Sequence, residues 1–215
     1  GDPVLRTRAQ FHRVWECVQR YDLAGATAAT AEMEAIVERI GLPHPRWQHA
    51  MLVTSFLLLA GDADAAEAAN EHALQLGTVA GIADAYGIYG GVLVNVRRHQ
   101  GRLDELLDFF LDVARDNPSI AALRAAIATM LCDVGRVDEA RERLAAEAAN
   151  DFDFPNESSW TTGMSEFLDA AATTRSHDAA RTLVDSVAPY ADQVVAPSAV
   201  LVLGALARPL ARAAT

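Results

Sequence analysis

Four short segments of this chain share one pattern. Each has a helix-breaking residue, two further residues, an Asp, one more residue and then a small or apolar side chain. The segments are Gly61-Asp-Ala-Asp64-Ala-Ala66, Gly101-Arg-Leu-Asp104-Glu-Leu106, Gly135-Arg-Val-Asp138-Glu-Ala140 and Arg175-Ser-His-Asp178-Ala-Ala180, and their Asp residues stand 40, 34 and 40 positions apart. Each position has a physical reason. Glycine ends one helix in a left-handed conformation, and Asp in the first turn of the next meets the positive end of the helix dipole. The small side chain lets the two helices approach closely. A helix-turn-helix unit recurring at that spacing predicts stacked antiparallel helix pairs, an α-solenoid, in which each pair buries its apolar face against its neighbours.

Apolar periodicity agrees, and no stretch alternates like a half-buried strand. The pattern predicts helices over Val4–Arg20, with Val4, Leu5, Phe11, Val14, Trp15 and Val18 inward, then Leu23–Ile40, Arg46–Ala60 and Ala63–Leu76, stopped by Gly77. At Asn117-Pro118 the Asn is expected to cap and the Pro to open a helix. After the aromatic-acidic break Asp151–Pro155, helices are expected over Ser158–Thr174, from Ser176 to about Tyr190, and over Ala199–Ala213, the last kinked by Pro209. That makes about eleven helices: five pairs and an unpaired terminal one. The terminal helix is expected to be exposed, apolar and open to a partner, a second copy of this chain among them.

Charge narrows the partners. With 18 Lys+Arg against 29 Asp+Glu the net charge is −11, which opposes direct binding to nucleic acid and to anionic lipid surfaces. The longest apolar stretches, such as Met51–Ala60, are too short to span a bilayer, and no signal-peptide pattern occurs. Cys17 and Cys132 sit far apart within apolar helical patterns, as reduced packed thiols of a cytoplasmic protein do. Every Lys/Arg residue is Arg and Ala is abundant, which points to a GC-rich bacterial gene. The chain begins at Gly1 and ends at Thr215 beyond an apolar helical stretch, so a fragment of a longer multidomain protein is expected.

No motif for chemistry rises above packing. Without lysine a Walker A loop is impossible, and Gly87-Ile-Tyr-Gly-Gly91 lies in a helical pattern, where a close helix contact or a kink explains it. The histidines His12, His44, His49, His72, His99 and His177 lack metal-ligand spacing, so no metal or cofactor is expected. The acidic pairs Asp62/Asp64, Asp151/Asp153 and Glu32/Glu34 fit capping and solvated faces, and Ser158-Ser159 beside Trp160 has no nearby activating His. Asn156-Glu-Ser158 spells a glycosylation acceptor without meaning in a cytoplasmic bacterial chain. Tyr86, Tyr89, Arg97 and Arg98 share one helix and make a candidate partner-binding surface, with packing and salt bridges between hairpins as the competing explanation. Trp160 joins that set, although its early helical position, like that of Trp47, also suits the core.

Gly135-Arg-Val-Asp-Glu-Ala140 and Gly101-Arg-Leu-Asp-Glu resemble tetratricopeptide repeats, with Asn117-Pro118 where such a repeat usually ends. The ordered series Gln100-Gly-Arg-Leu-Asp-Glu-Leu, Leu123-Arg-Ala-Ala126, Val134-Gly-Arg-Val-Asp-Glu-Ala-Arg141 and Val187-Ala-Pro-Tyr-Ala-Asp-Gln-Val-Val195 is similar to the C-terminal helical region of large bacterial signalling regulators. Those regulators carry an AAA/STAND-type ATPase module with a nucleotide-cyclase-like or LuxR-type helix-turn-helix domain. The similarity covers roughly residues 45 to 210, and departs where Arg175-Ser-His replaces the usual Gly. It implies a right-handed superhelix, one repeat domain over residues 1–215. The implied function is a non-catalytic module binding a protein, a peptide, an effector or other domains of its parent chain, with any ATPase or cyclase activity elsewhere. The alternatives are a free-standing scaffold without an effector and an α-helical enzyme using the Asp151–Trp160 break as an active-site loop.

Overall fold

A computed structural model describes residues 1–155, 157–197 and 200–214. Asn156 of the acceptor-like triplet and Ala199, the expected start of the last helix, lie outside the described residues. The fold is all-α. Its helices are α1 Pro3–Gln19, α2 Leu23–Ile40, α3 Pro43–Leu59, α4 Ala63–Val79, α5 Ala85–Gln100, α6 Asp104–Asp116, α7 Ala121–Asp133, α8 Val137–Ala148, α9 Trp160–Thr174, α10 His177–Val187 and α11 Ala207–Ala213. A 3-10 turn, Ala188–Tyr190, follows α10, and two short strands, β1 Val194–Val195 and β2 Gly204–Ala205, pair antiparallel before α11.

The chain forms two compact units, residues 1–101 with 198–202 and residues 102–197 with 203–215. In the first, α1 packs on α2, α3 on α4 and α4 on α5. Its turns are regular: Tyr21, Gly41, Gly61, Gly81 and Gly101, every twentieth residue, all have positive φ. A helix of 16 to 18 residues followed by one left-handed residue and a short entry into the next helix gives that interval. The Asp62 carboxylate accepts the Ala65 N–H at 3.0 Å, and Asp22 accepts the Gly25 N–H at 2.8 Å. The turns at Tyr21 and Gly61 therefore also cap the helices they open. Ala26 and Ala66, four residues after those caps, are fully buried. The Tyr21–Ala26 turn repeats the geometry of Gly61–Ala66, with Tyr where a glycine would be expected.

In the second unit α7 and α8 form one hairpin and α9 and α10 the next, with α7 packed along α9. Gly135 and Arg175 both take left-handed conformations, and Ala140 and Ala180 are buried at the helix contacts that follow. The Asp151–Pro155 break is part of the core. Asp151 and Phe152 both have φ of 52°, which turns the chain so that Phe152 and Phe154 are buried against Phe167 at ring separations of 5.5 and 6.5 Å. The Asp151 and Asp153 side chains stay exposed.

Several local expectations change. In α1, Thr7 is buried, whereas Val4 and Leu5 are exposed. Gly77 does not end α4: it is buried inside it, and a Cβ there would lie 2.8 Å from Ala85 Cβ and 2.9 Å from Trp47 Nε1. The stop comes from Gly81, since close packing and a left-handed turn both favour glycine and sequence alone does not separate them. Asn117 ends α6 by donating its side-chain amide to the Val113 carbonyl at 2.8 Å, and α7 starts at Ala121 rather than at Pro118.

The terminal helix is confined to Ala207–Ala213, where it packs on α9 and α10 with Leu206 and Pro209 buried. Pro209 is the third helical residue, where no intrahelical N–H bond is required, so no kink follows. Asp169 on α9 accepts from Arg208 at 2.8 Å and from Arg212 at 2.5 Å, fixing the helix further. Its buried side is packed within the unit. No helix among the described residues is long and apolar enough to cross a membrane.

Candidate functional site

Four of the five candidate surface residues lie on α5 in the first unit, and Trp160 opens α9 in the second. The arginines are turned to internal work. Arg97 donates to Glu67 on α4 and to Gln100, both at 2.6 Å, and Gln100 in turn donates to Asp64 at 2.8 Å and to Glu67 at 2.9 Å. Arg98 donates to Asn95 at 3.0 Å. This ion-paired network joins α4 to α5 through Arg97, while the Arg98–Asn95 bond lies within α5. Tyr89 is half-buried, and burial raises its hydroxyl above the usual tyrosine range. Tyr86 remains largely exposed at 69%. Trp160 is half-buried and packs edge-on to Tyr190 with ring centroids 5.7 Å apart.

Gly87 and Gly91 on α5 do not mark a close helix contact. A Cβ at Gly87 or Gly91 would meet nothing within 4 Å. Trp47, by contrast, is core, with 7% exposure and its indole against Gly77.

A concavity of the first unit lies elsewhere. A groove of about 450 Å³ runs over α2, α3 and α4. Three helical stripes line it: Glu34, Val37 and Glu38 from α2, Arg46, His49, Ala50 and Val53 from α3, and Ala69, His72 and Leu76 from α4. Within each stripe the residues span one or two helical turns, with members three and four apart, so a single face of each helix looks into the groove. Val37 and Ala50 are buried floor, while Val53 is 37% exposed, an apolar side chain left open at a groove. Glu34, Glu38 and Arg46 are exposed and, among the described residues, make no ion pair. Burial pushes the His49 imidazole below its ordinary value of 6.5, partly opposed by the Glu34 and Glu38 carboxylates. At neutral pH it is therefore an uncharged hydrogen-bonding group.

Sequence reasoning missed this groove. Val53 and Leu76 fall within apolar helical patterns, and only the packing of three helices shows that they stay partly uncovered. The available signal was α3 itself, whose apolar residues run round most of the helix, more than a single buried face needs. Among the described residues no three His, Cys, Asp or Glu side chains are placed to hold a metal ion. No family model matches the chain, and no curated protein or solved structure shows significant similarity to it.

Proposed function

We propose that this chain is a non-catalytic helical-repeat module of the tetratricopeptide kind that captures an amphipathic peptide segment in the α2–α3–α4 groove. One observation carries the reading: an open groove with an apolar floor, flanked on the α2 side by two carboxylates that make no ion pair among the described residues. An apolar floor is covered by apolar side chains spaced along a helix or extended peptide, and Glu34 and Glu38 select Arg or Lys at the edge. The net charge of −11 favours a basic partner and disfavours nucleic acid and anionic membranes. In a parent protein like the cytoplasmic bacterial regulators that its turn motifs resemble, occupancy of the groove would be passed to ATPase and output domains outside this chain.

The test is selection from a displayed peptide library on the immobilised chain. Peptides with apolar residues at helical spacing and a flanking Arg or Lys are expected. Val53→Asp, which places a charge at an exposed position without disturbing the core, should weaken their binding at least tenfold. Absence of any enriched sequence, or equal binding to the Val53→Asp chain, would overturn the proposal.

A further inference from the structure

The second unit carries a cleft of different chemistry. A cavity of about 380 Å³ is lined by Ala171, Ala172 and Arg175 from the end of α9, His177 and Ala180 from the start of α10, and Arg212 with Ala213 from α11. Its walls are alanine and its polar side chains are basic, in a chain whose net charge is −11. We propose that this cleft binds the phosphate group of a small phosphorylated molecule.

Three observations support this. First, Arg175 is exposed and, among the described residues, has no ion pair or hydrogen bond from its guanidinium. Its φ is 55°, a left-handed conformation that costs a non-glycine residue about 1 kcal/mol. The turn thus retains a cation where glycine would be less strained. Second, Arg212, which also lines the cleft, is held in place: it donates to Asp169 on α9 and, at 2.8 Å, to Thr173 Oγ1. A guanidinium fixed beforehand loses little freedom when an anion arrives. Third, the first turn of α10 opens at the cleft, and its cap residue Ser176 does not bond to it. The Ser176 hydroxyl is engaged with Thr174 Oγ1 at 2.8 Å instead. The opposing α9 terminus is neutralised, because Arg141 donates to the Thr174 carbonyl with two nitrogens at 3.3 Å. The acidic residue of the α10 first turn, Asp178, is paired with Arg181 at 3.2 Å.

Two arginine donors, one from the α9–α10 turn and one from α11, beside the first turn of α10, suit a tetrahedral dianion. A planar carboxylate is served by a single arginine fork. The volume lies in the range of small-molecule sites and accommodates a compact monophosphate ester.

The experiment is calorimetric titration of the whole chain with phenyl phosphate, inorganic phosphate and benzoate at fixed ionic strength. Saturable binding of the two phosphates, with benzoate at least tenfold weaker, is expected. Arg175→Gly removes the guanidinium and relaxes the left-handed backbone, so this variant keeps or gains thermal stability while its phosphate affinity falls at least tenfold. Arg212→Gln should weaken binding to a similar degree. No saturable phosphate binding, a preference for benzoate, or unchanged affinity in Arg175→Gly would each overturn the proposal. None of these results bears on the groove of the first unit.

Discussion

Gly163 offers the sharpest test of the packing described for the second unit. It lies inside α9, where replacing glycine by alanine ordinarily stabilises a helix by about 1 kcal/mol. Here a Cβ would lie within 2.9 Å of Phe154 Cδ2 and closer still to Cε2 and Cζ of the same ring. Phe154 is itself 8% exposed and wedged against Phe167, so the ring has no free direction in which to retreat. Overpacking of this kind costs about 1–3 kcal/mol. The clash offsets the propensity gain and exceeds it over most of that range, so Gly163→Ala is expected to destabilise by up to about 2 kcal/mol net. At this chain length that is roughly 2–4 °C of melting temperature per kcal/mol. Gly91→Ala on α5, where the new methyl meets nothing, should instead stabilise by about 0.5–1 kcal/mol. Thermal unfolding of both variants, and of Gly163→Ala combined with Phe154→Leu, reads the result. In the Phe154→Leu background the Gly163→Ala cost should shrink, a coupling of about 0.5–3 kcal/mol. If Gly163→Ala stabilises the chain, or costs the same with and without Phe154, the aromatic break does not pack where it is described.

Other consequences follow from single groups. Replacing Asp62 by Ala removes the bond to the Ala65 N–H and should cost about 1 kcal/mol, visible as a lower urea midpoint with an unchanged slope. Burial pushes the Cys132 thiol up to about 11, with Asp133 and Asp169 adding to the effect. At pH 8 its thiolate fraction is about one in a thousand, so alkylation followed by mass spectrometry should find it roughly a hundredfold slower than a free cysteine. His49 has a folded-state pKa below its unfolded value, so the unfolded chain takes up the proton first. Stability from this group is complete above about pH 6.5 and declines as the pH falls towards the folded value. His49→Gln should flatten that slope in denaturation curves between about pH 7 and 5.

Much of this fold is legible in the residues. The Gly-x-x-Asp turns predict hairpins because a left-handed stop and an acidic first turn are local requirements, and Gly61, Gly101 and Gly135 meet them. Arg175, an anomaly in the pattern, holds the same conformation, so the four-fold recurrence survives a residue that local preference disfavours. The failures occur where one residue type serves two purposes. Gly77 reads as a stop, yet it marks a close helix contact, and Gly81 marks the turn. Residues 199–213 read as one apolar helix, but the segment includes a strand that pairs with β1, since apolar periodicity over few residues does not separate helix from strand. The Asp151–Pro155 break is visible in sequence, whereas its role as an aromatic plug depends on Phe167 and Gly163, which lie a helix away. Arg97 looks like an interface anchor until Glu67, on the preceding helix, is seen to hold it.

The most direct measurement for the binding reading is nuclear magnetic resonance of methyl groups in the full chain, titrated with a peptide enriched by selection. The account predicts shifts concentrated on Val37, Ala50, Val53, Ala69 and Leu76, the groove-lining methyls of α2, α3 and α4. Shifts gathered instead around Tyr86 and Ala85 on α5, or spread without a centre, would contradict it.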